Sequence, residues 1–144
     1  MALARDMLEA SPTDIELGVD AVAQAIEACL TCAQTCTSCA NSDLAEKADA
    51  EMSRCAALCV NCADVCLTTA QILSRPFASD HRVTHHLLHA CVQTCTNSAE
   101  ECGRHAAHHR HCAVCEKACR ACLHACQELL QADAFRALEN LAGG

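Results

Sequence analysis

The chain is almost without aromatic side chains: it has no tryptophan, no tyrosine and only two phenylalanines, Phe77 and Phe135, in 144 residues. Helix breakers are scarce too, with four glycines and two prolines. That scarcity, beside abundant Ala, Leu, Glu and Gln, argues against a strand-rich or loop-rich fold and predicts an all-α chain. Positive charge is short as well: 10 Lys and Arg face 18 Asp and Glu, for a net charge of −8. Nucleic acid is held by clustered Lys and Arg, which here are scattered, so no nucleic-acid partner is expected. No apolar run approaches the length of a membrane span, and no membrane partner is expected. The opening stretch MALARDMLEASPTDIEL carries Asp6, Glu9, Asp14 and Glu16. It has no apolar h-region and no twin arginine, so no secretory signal is read there. The expected location is cytoplasmic, where thiols stay reduced and a cysteine pattern serves metal binding or chemistry rather than disulfides.

At this length one domain is expected over residues 1–144, with an N-terminal segment at 1–11, a bundle at 12–140 and a frayed tail at 141–144. What the chain has in excess is cysteine, 16 residues in all. They fall into four groups: Cys29, Cys32, Cys36, Cys39; Cys55, Cys59, Cys62, Cys66; Cys91, Cys95, Cys102; and Cys112, Cys115, Cys119, Cys122, Cys126. Steps within a group are three or four residues, except from Cys95 to Cys102, where Ser98 fills the gap. Such steps place side chains on one helical face, so each group is the inward seam of an amphipathic helix.

Local signals place the helix ends. Ser11-Pro12 reads as a helix start, Ser74-Arg75-Pro76 as a stop, and Ser79 or Asp80 as a cap. Helices are expected at about 12–45, 49–74, 80–107 and 110–140, with a short one at about 2–10. The first inner turn is set near Lys47-Ala48 by the cysteine register. Four such helices joined by short turns form an antiparallel four-helix bundle.

The register pairs Cys29 with Cys66, Cys32 with Cys62, Cys36 with Cys59, and Cys39 with Cys55. It also pairs Cys91 with Cys126, Cys95 with Cys122, Ser98 with Cys119, and Cys102 with Cys115. Toward the inner turns the next positions are Asp43, Met52, His105 and Cys112. At the opposite end the seams become aliphatic: Val22, Ile26, Ile72, Leu73, Leu87, Leu88, Leu129 and Leu130. One end is therefore expected to be plugged and the other lined by Met52 and His105.

Packing alone explains one or two buried cysteines but not four registered stripes, because Leu and Val bury more apolar surface. Disulfides within a stripe are excluded by reach: Cβ atoms three or four residues apart on a helix are ~5–6 Å apart, against the ~3.8 Å of a disulfide. CAQTCTSC and CAALCVNC match a C-x3-C-x2-C iron–sulfur signature, but helical spacing produces the same pattern. Zinc prefers closed four-ligand sites. Cu(I) is soft, selects thiolate and accepts two or three ligands, so it fits a continuous column at roughly one ion per thiolate, on the order of 16. Each Cu(I) would replace a proton and keep the buried column near neutral. All sixteen cysteines are thus candidate ligands, with His105, His109 and Met52 as weaker, exchangeable ones where copper is admitted. Zinc and iron–sulfur clusters remain the alternatives, with a buffering or redox role. His108 and His111 read as a solvated turn, and His124 as surface. His81, His85 and His89 read as a solvated or interface face that could chelate a metal. No catalytic residue is identified.

The repeated C-x2-C-x3-C and C-x3-C-x2-C stretches from Cys29 to Cys126, with the histidines near the third turn, resemble the cysteine-rich copper storage proteins, in their cytosolic branch. That resemblance implies Cu(I) storage without catalysis in a thiol-lined four-helix bundle, and assembly as a homotetramer. The chain departs from a complete third stripe at Ser98. Nothing in the sequence names a copper donor or acceptor.

Overall fold

The structure is a computed structural model that describes residues 3–46 and 50–143. Among the described residues six helices follow one another: α1 (Ala4–Ala10), α2 (Val19–Ala45), α3 (Met52–Leu73), α4 (His81–His105), α5 (Arg110–Leu129) and α6 (Asp133–Gly143). No strand occurs among the described residues. The four long helices make the bundle. α2 packs on α3 and α5, and α4 packs on the same two, so the chain runs round a square of antiparallel neighbours. The turn expected at Lys47-Ala48 lies outside the described residues.

Each long helix buries one stripe. In α3 that stripe is Met52, Cys55, Cys59, Cys62, Cys66, Thr69 and Leu73, a run of threes and fours. α3 is also 22 residues long and contains an 18-residue stretch with a mean hydropathy of 1.5, which meets the length and composition of a membrane span. This corrects the expectation that no apolar run comes close to one. Its apolarity comes from leucine, valine and isoleucine together with cysteine and alanine, and its four cysteines are buried in the bundle core.

Two helix boundaries differ from those expected. Ser11-Pro12 ends α1 rather than starting α2. Ser11 is extended, as a residue before proline prefers, and its hydroxyl accepts the Thr13 N–H at 3.1 Å in a local turn. α2 begins seven residues later, after Gly18, whose φ of 93° suits glycine and few other residues. The intervening Ile15 and Leu17 lie against the core, which keeps this segment on the bundle.

The last helix is not continuous to residue 140. α5 stops at Leu129 and α6 folds back to pack on α4. A straight helix would carry Phe135 past the bundle into water. The break buries it completely, with its ring 6.0 Å from that of His81 and 5.4 Å from that of His85. The tail expected from residue 141 is helical backbone as far as Gly143, and Gly144 lies outside the described residues. The expected Asp80 cap is present: its carboxylate accepts the Arg82 N–H at 2.9 Å.

The plugged end is aliphatic as expected. Val22, Ile26, Leu73, Leu88, Leu129 and Leu130 are buried there, with Leu8 and Phe135 added by the short helices. Ile72 and Leu87 are half-buried.

Candidate metal centre

All sixteen cysteines are free thiols, and none is more than 2% exposed. Nearest sulfurs stand between 3.5 Å, for Cys36 and Cys119, and 4.0 Å, for Cys115 and Cys119. The register predicted from spacing holds in the pairs Cys32–Cys62 at 3.9 Å, Cys91–Cys126 at 3.8 Å and Ser98–Cys119 at 3.4 Å. The two hairpins also interleave: Cys36 meets Cys119, Cys55 meets Cys102 at 3.6 Å, and Cys66 meets Cys95 at 3.6 Å.

These contacts organise the sulfurs into overlapping quartets whose ligand atoms all lie within 4.8 Å of one another. Nearest the plug is Cys29, Cys91, Cys122, Cys126; then Cys32, Cys66, Cys95, Cys122; then Cys32, Cys36, Cys62, Cys119; then Cys39, Cys59, Cys102, Cys115. Cys122 and Cys32 belong to two quartets each and link the first three, and the Cys36–Cys115 contact at 3.6 Å joins the fourth, so these sets form a continuous column rather than isolated sites. A soft ion needs about 2.3 Å to each thiolate sulfur, as zinc does, so neighbours at these spacings can grip one ion.

The thiols share protons along the column. The hydrogen bond from Cys115 and further neighbouring thiols draw Cys102 down to about 5, and Cys115 likewise leads in drawing Cys119 down to about 6. Their neighbours Cys115 and Cys55 are pushed up, each first by its hydrogen bond with Cys102, and burial adds to the rise; Cys66 is pushed up likewise, first by Cys122. Cys112 is pushed up to about 12, first by burial and then by the Asp43 charge. Filling the column with cations would displace these protons.

The mouth holds a different ligand set. Cys39, Asp43, His111 and Cys112 form a further quartet that shares Cys39 with the thiol column. His111 Nδ1 lies 3.4 Å from Cys39 Sγ, 3.6 Å from Cys112 Sγ and 3.5 Å from Asp43 Oδ1. Asp43 is buried, accepts weakly from Cys39 and Cys112, and leaves Oδ2 without a hydrogen bond. Burial raises its pKa. Glu46 Oε1 sits 3.2 Å from His111 Nε2 and 3.3 Å from His109 Nδ1.

His111, read from sequence as part of a solvated turn, is therefore brought to the sulfurs, and Asp43 with it. Both carried a signal: His111 is four residues before Cys115, and Asp43 four after Cys39, each on its own seam. The expected mouth residues stand around them. Met52 and His105 are buried at 1% and 7% exposure, and His105 Nε2 is 3.5 Å from Glu101 Oε2. The rings of His105, His109 and His111 form a chain, with centroids 6.4 Å and then 5.6 Å apart. His108 and His124 are exposed, as expected.

Residues 19–131 match the Csp family, described as copper storage protein. The chain is 31% identical over 104 residues to the cysteine-rich protein YhjQ of Bacillus subtilis (strain 168), covering 72% of this chain and 91% of the relative. Among solved structures it is similar to the copper storage protein Ccsp of Streptomyces lividans loaded with 10 copper equivalents. The two share 45% identity and a TM-score of 0.85 over 90% of this chain and 98% of the other. A structure of copper loading to a cytosolic copper storage protein of the same organism, with five coppers, shares 49% identity and a TM-score of 0.76 over 77% and 92% of the two chains.

Proposed function

The chain belongs to the copper storage protein family, and from that premise we propose how it takes and holds its cargo. Its thiolates store many Cu(I) ions in the bundle core. The observation that carries this is the unbroken column of buried, reduced sulfurs, spaced for neighbours to share an ion. Charge favours Cu(I) over zinc. One Cu(I) per thiolate leaves the column neutral, whereas Zn(II) at four thiolates per ion leaves two uncompensated charges at every site, in a core that penalises them.

The ligands are the sixteen cysteines, with His105, His109 and Met52 at the mouth, where copper is admitted. His111 and Asp43 add a nitrogen and an oxygen at its throat. The family match supports a role in storage rather than turnover. The whole of residues 1–144 serves as one storage domain. The likeness to a protein described as cytosolic supports a cytoplasmic location, and the family resemblance supports a homotetramer.

The test is anaerobic titration of reduced apo-protein with Cu(I) against a competing chelator, with metal and proton counts on the product. The expected result is many tightly bound coppers per chain and about one proton released per copper. Saturation at one or two metals, or displacement of copper by equimolar Zn(II), would overturn the proposal.

A further inference from the structure

Away from the sulfur column, three histidines mark the outer face of α4 near the plugged end. His81, His85 and His89 recur every four residues, so they form one stripe. The stripe meets α6. His85 Nε2 is 3.2 Å from Glu139 Oε1, and the His85 and His89 rings stand 4.6 Å apart between centroids. His89 and Glu139 line the same surface cleft, of about 440 Å³, together with Gln127 and Arg136. The Arg136 guanidinium is engaged by the Gln131 side chain at 3.4 Å. Phe135 packs against the His85 ring and closes one side of the group.

From this arrangement we infer that His85, His89 and Glu139 form a second metal site, for a borderline divalent cation such as Zn(II). Two imidazoles at i and i+4 with one carboxylate are a three-ligand nitrogen and oxygen set that leaves a fourth position to water. Imidazole and carboxylate suit borderline divalent ions, whereas a soft monovalent ion gains more from the thiolates in the core. The two kinds of site are thus separated by ligand chemistry as well as by position. The two imidazoles, of His85 and His89, come from α4 and Glu139 comes from α6, so a bound cation would tie the C-terminal helix to the bundle over Phe135. The net charge of −8 favours any cation at this surface.

The experiment uses the full chain with its core filled by Cu(I), dialysed against Zn(II) and, in parallel, against Co(II). The expected result is one Zn(II) per chain beyond the copper, and Co(II) ligand-field bands without thiolate-to-cobalt charge transfer. Loss of a mere outer partner typically weakens metal sites about 10–100-fold, so His89→Ala, His85→Gln and Glu139→Gln should each weaken Zn(II) at least that much. Copper content should not change in these variants, whereas His86→Ala and His124→Ala should keep the Zn(II). His89 and Glu139 are solvent-accessible, so their variants should fold even where His85→Gln disturbs Phe135.

Three results would overturn the site: no Zn(II) retained by the parent chain, a thiolate charge-transfer band from the added Co(II), or equal losses in the His86 and His124 variants. The inference does not rest on copper storage. A chain that took up no copper would refute that function, and the surface site would then be read from the loss of one Zn(II) per chain in the His89→Ala and Glu139→Gln variants alone.

Discussion

The Nδ1 atom of His111 lies 3.4 Å from the sulfur of Cys39, while the Nε2 atom of the same ring lies 3.2 Å from Glu46 Oε1. A carboxylate on one imidazole nitrogen fixes the ring and makes the other nitrogen a better donor to a soft ion. His111→Ala should therefore slow Cu(I) uptake more than His105→Ala or His109→Ala, by about 10-fold, with nearly full final capacity. Stopped-flow loading from a Cu(I)–chelator complex measures this. Equal rates in all three variants would assign His111 no part in admission.

Ser98 interrupts the third stripe with its hydroxyl 3.4 Å from Cys119 Sγ and 3.5 Å from Cys59 Sγ. Ser98→Cys exchanges oxygen for sulfur in a position already surrounded by thiols. The change should raise capacity by about one copper per chain. It should shift apo-protein stability by less than about 1.5 kcal/mol, because volume is nearly conserved. Chelator-competition titration and urea denaturation give the two readings.

Cys112 titrates near pH 12 in the folded chain, above the ordinary thiol value of 9.0. The folded state thus holds its proton more tightly than the unfolded state does. Its contribution to stability is complete below pH 9.0 and is lost as pH climbs toward about 12. Reduced apo-protein should therefore unfold in less urea at about pH 10 than at about pH 8, and Cys112→Ser should shrink that difference. The copper-loaded chain should be nearly insensitive over the same range, because the metal has replaced the proton.

Phe135 is fully buried where α6 closes over the bundle. Phe135→Ala should cost roughly 3–5 kcal/mol in apo-protein stability through lost burial and a cavity. Copper capacity should stay the same, since the ring packs against His81 and His85 at the plugged end. Thermal denaturation and metal analysis of one preparation test both halves.

The bundle and its sulfur register were legible because spacings of three and four map directly onto a helical face. Pairs such as Cys32–Cys62 and Cys91–Cys126 followed from counting outward from the turns. The start of α2 was misread because Ser11-Pro12 carries cap chemistry that serves a local turn instead. The break after Leu129 has no glycine or proline to announce it. It follows from where Phe135 can find cover, which is a property of the assembled bundle. His111 reads from the sequence as part of the polar turn because it lies one residue before the first seam cysteine, Cys112, in a histidine-rich stretch. α4 ends at His105, and the face that matters at residue 111 belongs to α5.

The closed far end, with Phe135 and the aliphatic residues around it, makes the column a stack rather than a queue. With copper admitted at the mouth, as proposed, ions beside Cys29 and Cys126 would be the first deposited and the last withdrawn. A cell drawing on such a store spends its newest copper first, and its deepest holdings stay locked until the supply is almost exhausted.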